Sequence, residues 1–142
     1  MAEEILVKEA LTKEMIEVGK EMSLRLRDKG FDLVCSLWLY EAEFNRWRLI
    51  LASPVVDREG PRKAYEKIDE ILQDNWEMDI WLPNISALSP SDPLIRAIRS
   101  LGRKDLLRPH HAPAPRIDVG RRYTRGLVDG IFIDDAYILF TE

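Results

Sequence analysis

A chain of 142 residues, 46% hydrophobic and 32% charged, suits one folded domain that buries about two thirds of its unfolded surface. No apolar run approaches the roughly 20 residues of a membrane span, and the acidic start MAEEILVKEALTKE lacks the basic and apolar regions of a signal peptide, so no membrane contact and a cytoplasmic location are expected. The net charge of -4 hides a segregation: residues 1–95 carry 12 Lys or Arg against 19 Asp or Glu, residues 96–125 carry 9 against 2, and residues 126–142 carry none against 4.

Residues 1–10 extend or fray from the first helix. Thr12 caps it, Met15, Val18, Met22 and Leu26 recur at helical spacing, and Gly30 ends it. Residues 33–51, LVCSLWLYEAEFNRWRLIL, form two apolar runs about one polar turn, a β-hairpin. With Glu41 to Asn45 as the loop, Leu39 faces Trp47, Leu37 faces Leu49 and Cys35 faces Leu51 on a core face. Tyr40 then opposes Arg46 and Trp38 opposes Arg48 on the other face, where each guanidinium–ring pair contributes about 0.5–1 kcal/mol if exposed. An open face of this kind stacks a base or planar ligand, or docks a second copy in a homo-oligomer; a covered one only steadies the sheet.

Residues 52–61 read as a loop ending with Pro61 at a first helical position. The second helix follows, with Ala64, Tyr65, Ile68, Ile71 and Leu72 as its apolar face and Asp74-Asn75 at its end. Residues 76–88 are apolar but interrupted by Pro83, which predicts an edge strand or extended connection. Asp92-Pro93 open a third helix with Leu94, Ile95, Ile98 and Leu101 inward and Gly102 closing it. Its Arg96, Arg99 and Arg103 share the exposed side. The segment LRPHHAPAPR, residues 107–116, is a proline-rich linker inside the domain.

Asp129-Gly130 is a favoured two-residue hairpin turn, pairing residues 119–128 with 131–140. Arg125 then opposes Asp134 and Thr124 opposes Asp135. The last strand is apolar at both parities, which predicts a central, covered position. The fold class expected is α+β: a single domain over residues 1–142, with a four- or five-stranded, mostly antiparallel sheet of two hairpins and about three helices.

The pattern exposes few groups that carry a mechanism. Asp134 and Asp135 on a strand, with Glu41 and Glu43 in a turn, are the acids that a Mg²⁺-dependent hydrolase or nuclease would use, but neighbouring strand residues point to opposite faces, and the ordinary account is pairing with Arg125 and Thr124. His110-His111 lacks a third ligand at metal spacing, and Cys35 alternates inward as an inert thiol whose solitary occurrence fits a reducing compartment. Ser36 and Ser53 have no nucleophile elbow, and Gly60-Pro61-Arg62-Lys63 lacks the glycines of a phosphate loop. No cofactor is expected.

The runs Leu51-Ala52-Ser53-Pro54-Val55-Val56-Asp57 with Gly60-Pro61, Trp38-Leu39-Tyr40, and Gly130-Ile131-Phe132-Ile133-Asp134-Asp135-Ala136-Tyr137 resemble those of short bacterial proteins of uncharacterised function, a likeness that implies no activity or ligand. The remaining signal is charge. Arg96, Arg99, Arg103, Lys104, Arg108, Arg116, Arg121 and Arg122 form a basic stripe expected to meet an acidic protein or a nucleic acid in a non-catalytic binding domain, with Trp38, Tyr40, Arg46 and Arg48 as a second contact face. The competing account is that this block folds back on the chain's own acids.

Overall fold

The computed structural model describes residues 8–73, 84–106 and 121–142, with residues 102–106 and 121 described by backbone alone. The order of elements is α1 (Lys13–Asp28), β1 (Cys35–Glu41), β2 (Arg46–Ala52), α2 (Val55–Glu59), α3 (Pro61–Leu72), β3 (Ile85–Leu88), α4 (Pro93–Leu106), β4 (Arg121–Val128) and β5 (Ile131–Thr141). All five strands lie in one sheet, ordered β3-β2-β1-β5-β4. The two hairpins are thus joined edge to edge through β1 and β5, and the fold is α+β. One core lies between the sheet and α1 and α3, and a second lies between the opposite face and α4.

Helix α1 forms as its pattern predicts. The Thr12 Oγ1 accepts from the Met15 N–H at 3.1 Å, Met15, Met22 and Leu26 are buried, and Gly30 takes φ 83° where an L side chain is strained. The β1–β2 loop corrects the expected register by one residue. Glu41 remains in the strand opposite Arg46, to which it is bonded at 2.9 Å, so the turn is Ala42–Asn45, with Asn45 at φ 46°. Tyr40 therefore opposes Trp47 and Trp38 opposes Leu49, all under α1 and α3, while Leu37 opposes Ile50 and Leu39 opposes Arg48 on the α4 side. A one-residue slip moves every side chain to the other face. Both faces are covered here, so either register offers the core a plausible apolar set.

The loop expected over 52–61 contains a short helix, α2, whose Val55 is buried, and Pro61 does begin α3. Within α3, Tyr65 leaves the expected apolar face and is 41% exposed, its hydroxyl accepting from the Ala87 N–H at 2.9 Å. The expected ending at Asp74-Asn75 lies outside the described residues, as do residues 76–83, but β3 is an edge strand and pairs in parallel with β2. Asp92 Oδ1 accepts from the Leu94 N–H at 2.9 Å to open α4, which runs through Gly102 to Leu106. Glycine there lowers helix propensity by about 1 kcal/mol without supplying a stop, because packing of Ile95, Ala97 and Ile98 holds the helix on the sheet. The linker of 107–116 and the start of the expected strand at 119–120 lie outside the described residues.

The final hairpin turns at Asp129-Gly130, with φ 50° and 82°, and Val128 opposes Ile131. Strand β5 is covered, as its double apolar parity predicts. That parity has a structural cause: the alternation slips once at the Arg125–Asp134 pair, where Arg125 takes φ 43°, and again where the register against β1 shifts between Ser36 and Leu37. Odd residues near the turn and even residues farther along thereby serve the same core, as Ile133 and Ala136 do. On the outer side of the turn, Leu127 and Phe132 oppose each other and remain exposed.

Candidate functional site

Arg96 is exposed on α4 and Arg99 is half-buried one turn further on; neither makes an ion pair with a described residue. Because the helix is unbroken to Leu106, Arg103 follows Arg99 by four residues on its backbone and Lys104 follows Arg96 by eight. Arg108 and Arg116 lie outside the described residues, and Arg121 is placed by its backbone at the start of β4, opposite Ile138. Arg122 departs from the expected stripe. Its Nε and Nη2 donate to the two oxygens of Asp135 at 3.0 and 2.7 Å, a bidentate pair within the chain.

Among the described residues Asp135 is the most fully paired charge. The residue is 1% exposed, and Lys8 adds a third bond at 2.6 Å to Oδ2. Burial alone raises its carboxyl pKa; the hydrogen bonds and charges of Arg122 and Lys8 outweigh burial and hold it below the usual aspartate range. The Lys8 ammonium also lies 4.5 Å from the Tyr40 ring centre, and the Arg122 guanidinium lies 5.5 Å from that of Trp47. Trp47 Nε1 donates to the Glu9 carbonyl at 2.8 Å, and Asn45 Oδ1 accepts from both Tyr40 Oη at 2.6 Å and the Glu9 N–H at 2.9 Å. These bonds seal the segment before α1 against the sheet. Thr124, the expected partner of Asp135, opposes it without a bond between the side chains, whereas Arg125 does reach Asp134, at 3.8 Å. Arg122 was legible as the same-face diagonal neighbour two residues from Thr124; Lys8, 127 positions away, had no local signal.

Trp38 and Tyr40 do not form an open face with arginines. Trp38 is fully buried, and its Nε1 donates to the Met15 carbonyl of α1 at 2.9 Å; Tyr40 is 8% exposed. A base, a planar ligand or a second copy meets α1 before it meets either ring. Arg46 and Arg48 instead converge on Glu41 Oε1 at 2.9 and 3.0 Å, and Arg48 bonds Ser86 Oγ as well. Burial raises the Glu41 carboxyl pKa, and these two guanidinium bonds bring it below the usual glutamate range.

No family model, curated protein or solved structure matches this chain.

The acids considered for a metal are dispersed. Asp135 points to the α1 side with both oxygens bonded to cations, while Glu41, Glu43 and Asp134 border a separate open cavity. Among the described residues no three His, Cys, Asp or Glu side chains gather as metal ligands; His110 and His111 lie outside that set. Burial pushes the Cys35 thiol up to about 12, against the lowering effect of the Arg99 charge, so it stays protonated at neutral pH. Ser36 bonds Ser23 at 2.7 Å and Ser53 caps the Val55 N–H at 3.1 Å, so both hydroxyls are engaged in packing. Arg62 and Lys63, next to Gly60-Pro61, pair with Glu66.

Proposed function

We propose that the protein is a non-catalytic binding module that engages an acidic segment of a partner protein along α4. The observation that supports this is the state of Arg96 and Arg99: two adjacent charges without a counter-ion among the described residues, on a chain of net charge -4. The other arginines of the basic block whose side chains are described, Arg122 and Arg125, have such counter-ions. A local acidic peptide meets only the helix, whereas a nucleic acid spans far enough to meet the carboxylates that bring the sequence pI to about 5.3. Among the described residues no helix is long and apolar enough to cross a membrane, and the single, buried cysteine fits the cytoplasm, where we place the protein.

The test is fluorescence anisotropy of a labelled Asp/Glu-rich peptide and a labelled 20-nucleotide RNA against the full chain. Peptide affinity is expected to fall about tenfold or more in the R96E/R99E double variant, and to fall with added salt, with the melting temperature unchanged. Equal binding by the variant rejects the reading. Preferential binding of the RNA with a steep salt slope replaces the protein partner by a nucleic acid.

A further inference from the structure

The corner where the β1–β2 turn, the first turn of α4 and the β4–β5 tip meet encloses an open cavity of about 300 Å³. Its apolar wall is Leu39, Phe44, Leu94 and Phe132. Phe44 and Phe132 are 57% and 63% exposed, and Leu127, opposite Phe132 in the ladder, is 71% exposed. In a sheet otherwise packed on both faces, three large apolar side chains grouped at one end mark a contact surface.

The charged side chains lining the cavity are carboxylates, two of which already face arginines of the chain. Glu41 is occupied by Arg46 and Arg48, but Glu43 is exposed and makes no ion pair with a described residue, and Asp134 has only the 3.8 Å contact to an Arg125 side chain that is 85% exposed. An apolar or anionic occupant strips water from these carboxylates and returns no bond, and an uncharged polar one returns only single-charge hydrogen bonds; a cationic one replaces that water with hydrogen bonds between opposite charges. The chain itself shows the fit: the Arg46 guanidinium sits 4.7 Å from the Phe44 ring centre.

We infer that this corner receives a short segment of a partner protein in which an apolar residue is flanked by Lys or Arg, the apolar side chain entering between Phe44 and Phe132 and the cation meeting Glu43 and Asp134. A protein segment rather than a free amine is indicated because Leu127 extends the apolar surface beyond the cavity, and an extended chain covers both. The surface is opposite in sign to the arginines of α4 and stands independently of the role proposed for them.

The test is an NMR titration of the full chain, isotope-labelled at amides and leucine methyls, with three capped peptides: Gly-Lys-Leu-Lys-Gly, Gly-Gln-Leu-Gln-Gly and Gly-Glu-Leu-Glu-Gly. The expected result is movement of the Leu39, Leu94 and Leu127 methyl signals with affinity in the order Lys, Gln, Glu. About tenfold should separate the first from the last, and the E43Q/D134N double variant should remove that difference. Phe132→Ser, a change at an exposed site whose spectrum reports its folding, is expected to abolish the shifts. Equal affinity for the three peptides, shifts that persist in Phe132→Ser, or no shifts overturn the inference. So do concentration-dependent shifts at the same residues without peptide, which identify a second copy as the occupant, and butylamine matching the Lys peptide, which identifies a free amine.

Discussion

The face of the sheet beneath α1 and the corner at the β4–β5 tip hold the same kinds of residue: aromatic rings, arginines and carboxylates. Under α1, Trp38, Tyr40 and Trp47 are enclosed, and Asp135 receives three bonds from Arg122 and Lys8. At the corner, Phe44 and Phe132 stand in solvent and Asp134 has one long contact. Asp134 and Asp135 are adjacent in the chain and differ only in which way the strand turns them. The difference shows that residue type does not separate a structural cluster from a binding surface; completeness of partnering does. A buried carboxylate with both oxygens bonded to cations stabilises the fold, and one with a single long contact can gain from a ligand.

The contrast implies a gradient of cost, steepest at Trp38. Trp38→Ala removes a fully buried ring together with its indole hydrogen bond to the Met15 carbonyl, and is expected to cost about 3–5 kcal/mol in urea unfolding. Set against the typical stability of about 5–15 kcal/mol, that loss is a large fraction of the whole. Next is Gly19→Ala, expected to cost about 1–3 kcal/mol through overpacking although alanine favours a helix interior by about 1 kcal/mol. A Cβ at Gly19 falls 2.6 Å from Trp38 Nε1 and 2.7 Å from Leu139 Cδ1. The Leu139 methyl is the far end of a flexible side chain, but the indole is fixed by its own hydrogen bond. A variant more stable than the parent would show that the α1–sheet contact is looser than these distances imply.

Asp135→Asn comes third, at about 1–2 kcal/mol near neutral pH, discounted because Lys8 and Arg122 are 43% and 48% exposed at their side chains and recover water when released. The sign of its pH dependence follows from a folded-state pKa below the unfolded one. Unfolding binds a proton between the two values, so the stabilisation is complete above the unfolded range near pH 4 and is lost as the pH falls through the lower, folded value. Denaturation midpoints of parent and variant should therefore converge below about pH 4. A gap that stays constant with acidification would mean that Asp135 acts through shape rather than charge.

Much of this architecture is legible in the residues. Thr12, Gly30, Pro61, Asp92-Pro93 and Asp129-Gly130 each carry a local stereochemical reason for an end or a turn, and the structure uses every one. The β1–β2 register is not legible, because a sheet covered on both sides removes the alternation that distinguishes one register from the next. That single residue decided the fate of Trp38, Tyr40, Arg46 and Arg48 as a contact face. The corner cavity escapes for a different reason: Phe44, Leu94 and Phe132 come from three elements, and only the order β2-β1-β5 with α4 behind brings them together.

At the bottom of the gradient is Asp134→Asn. Its only described ion-pair partner is Arg125, at 3.8 Å and 85% exposed at the side chain, so the charge pair is already screened by water and the lost attraction is small. Asparagine keeps the shape and an acceptor oxygen, and the strand hydrogen bonds run through the backbone. The expected change in unfolding free energy is within about 0.5 kcal/mol, read from the same urea curves as Asp135→Asn. Two neighbouring residues given the same substitution would then differ severalfold in cost. A large loss at Asp134 would mean that its carboxylate is holding the β4–β5 tip together, and the open corner would belong with the sealed face as structure.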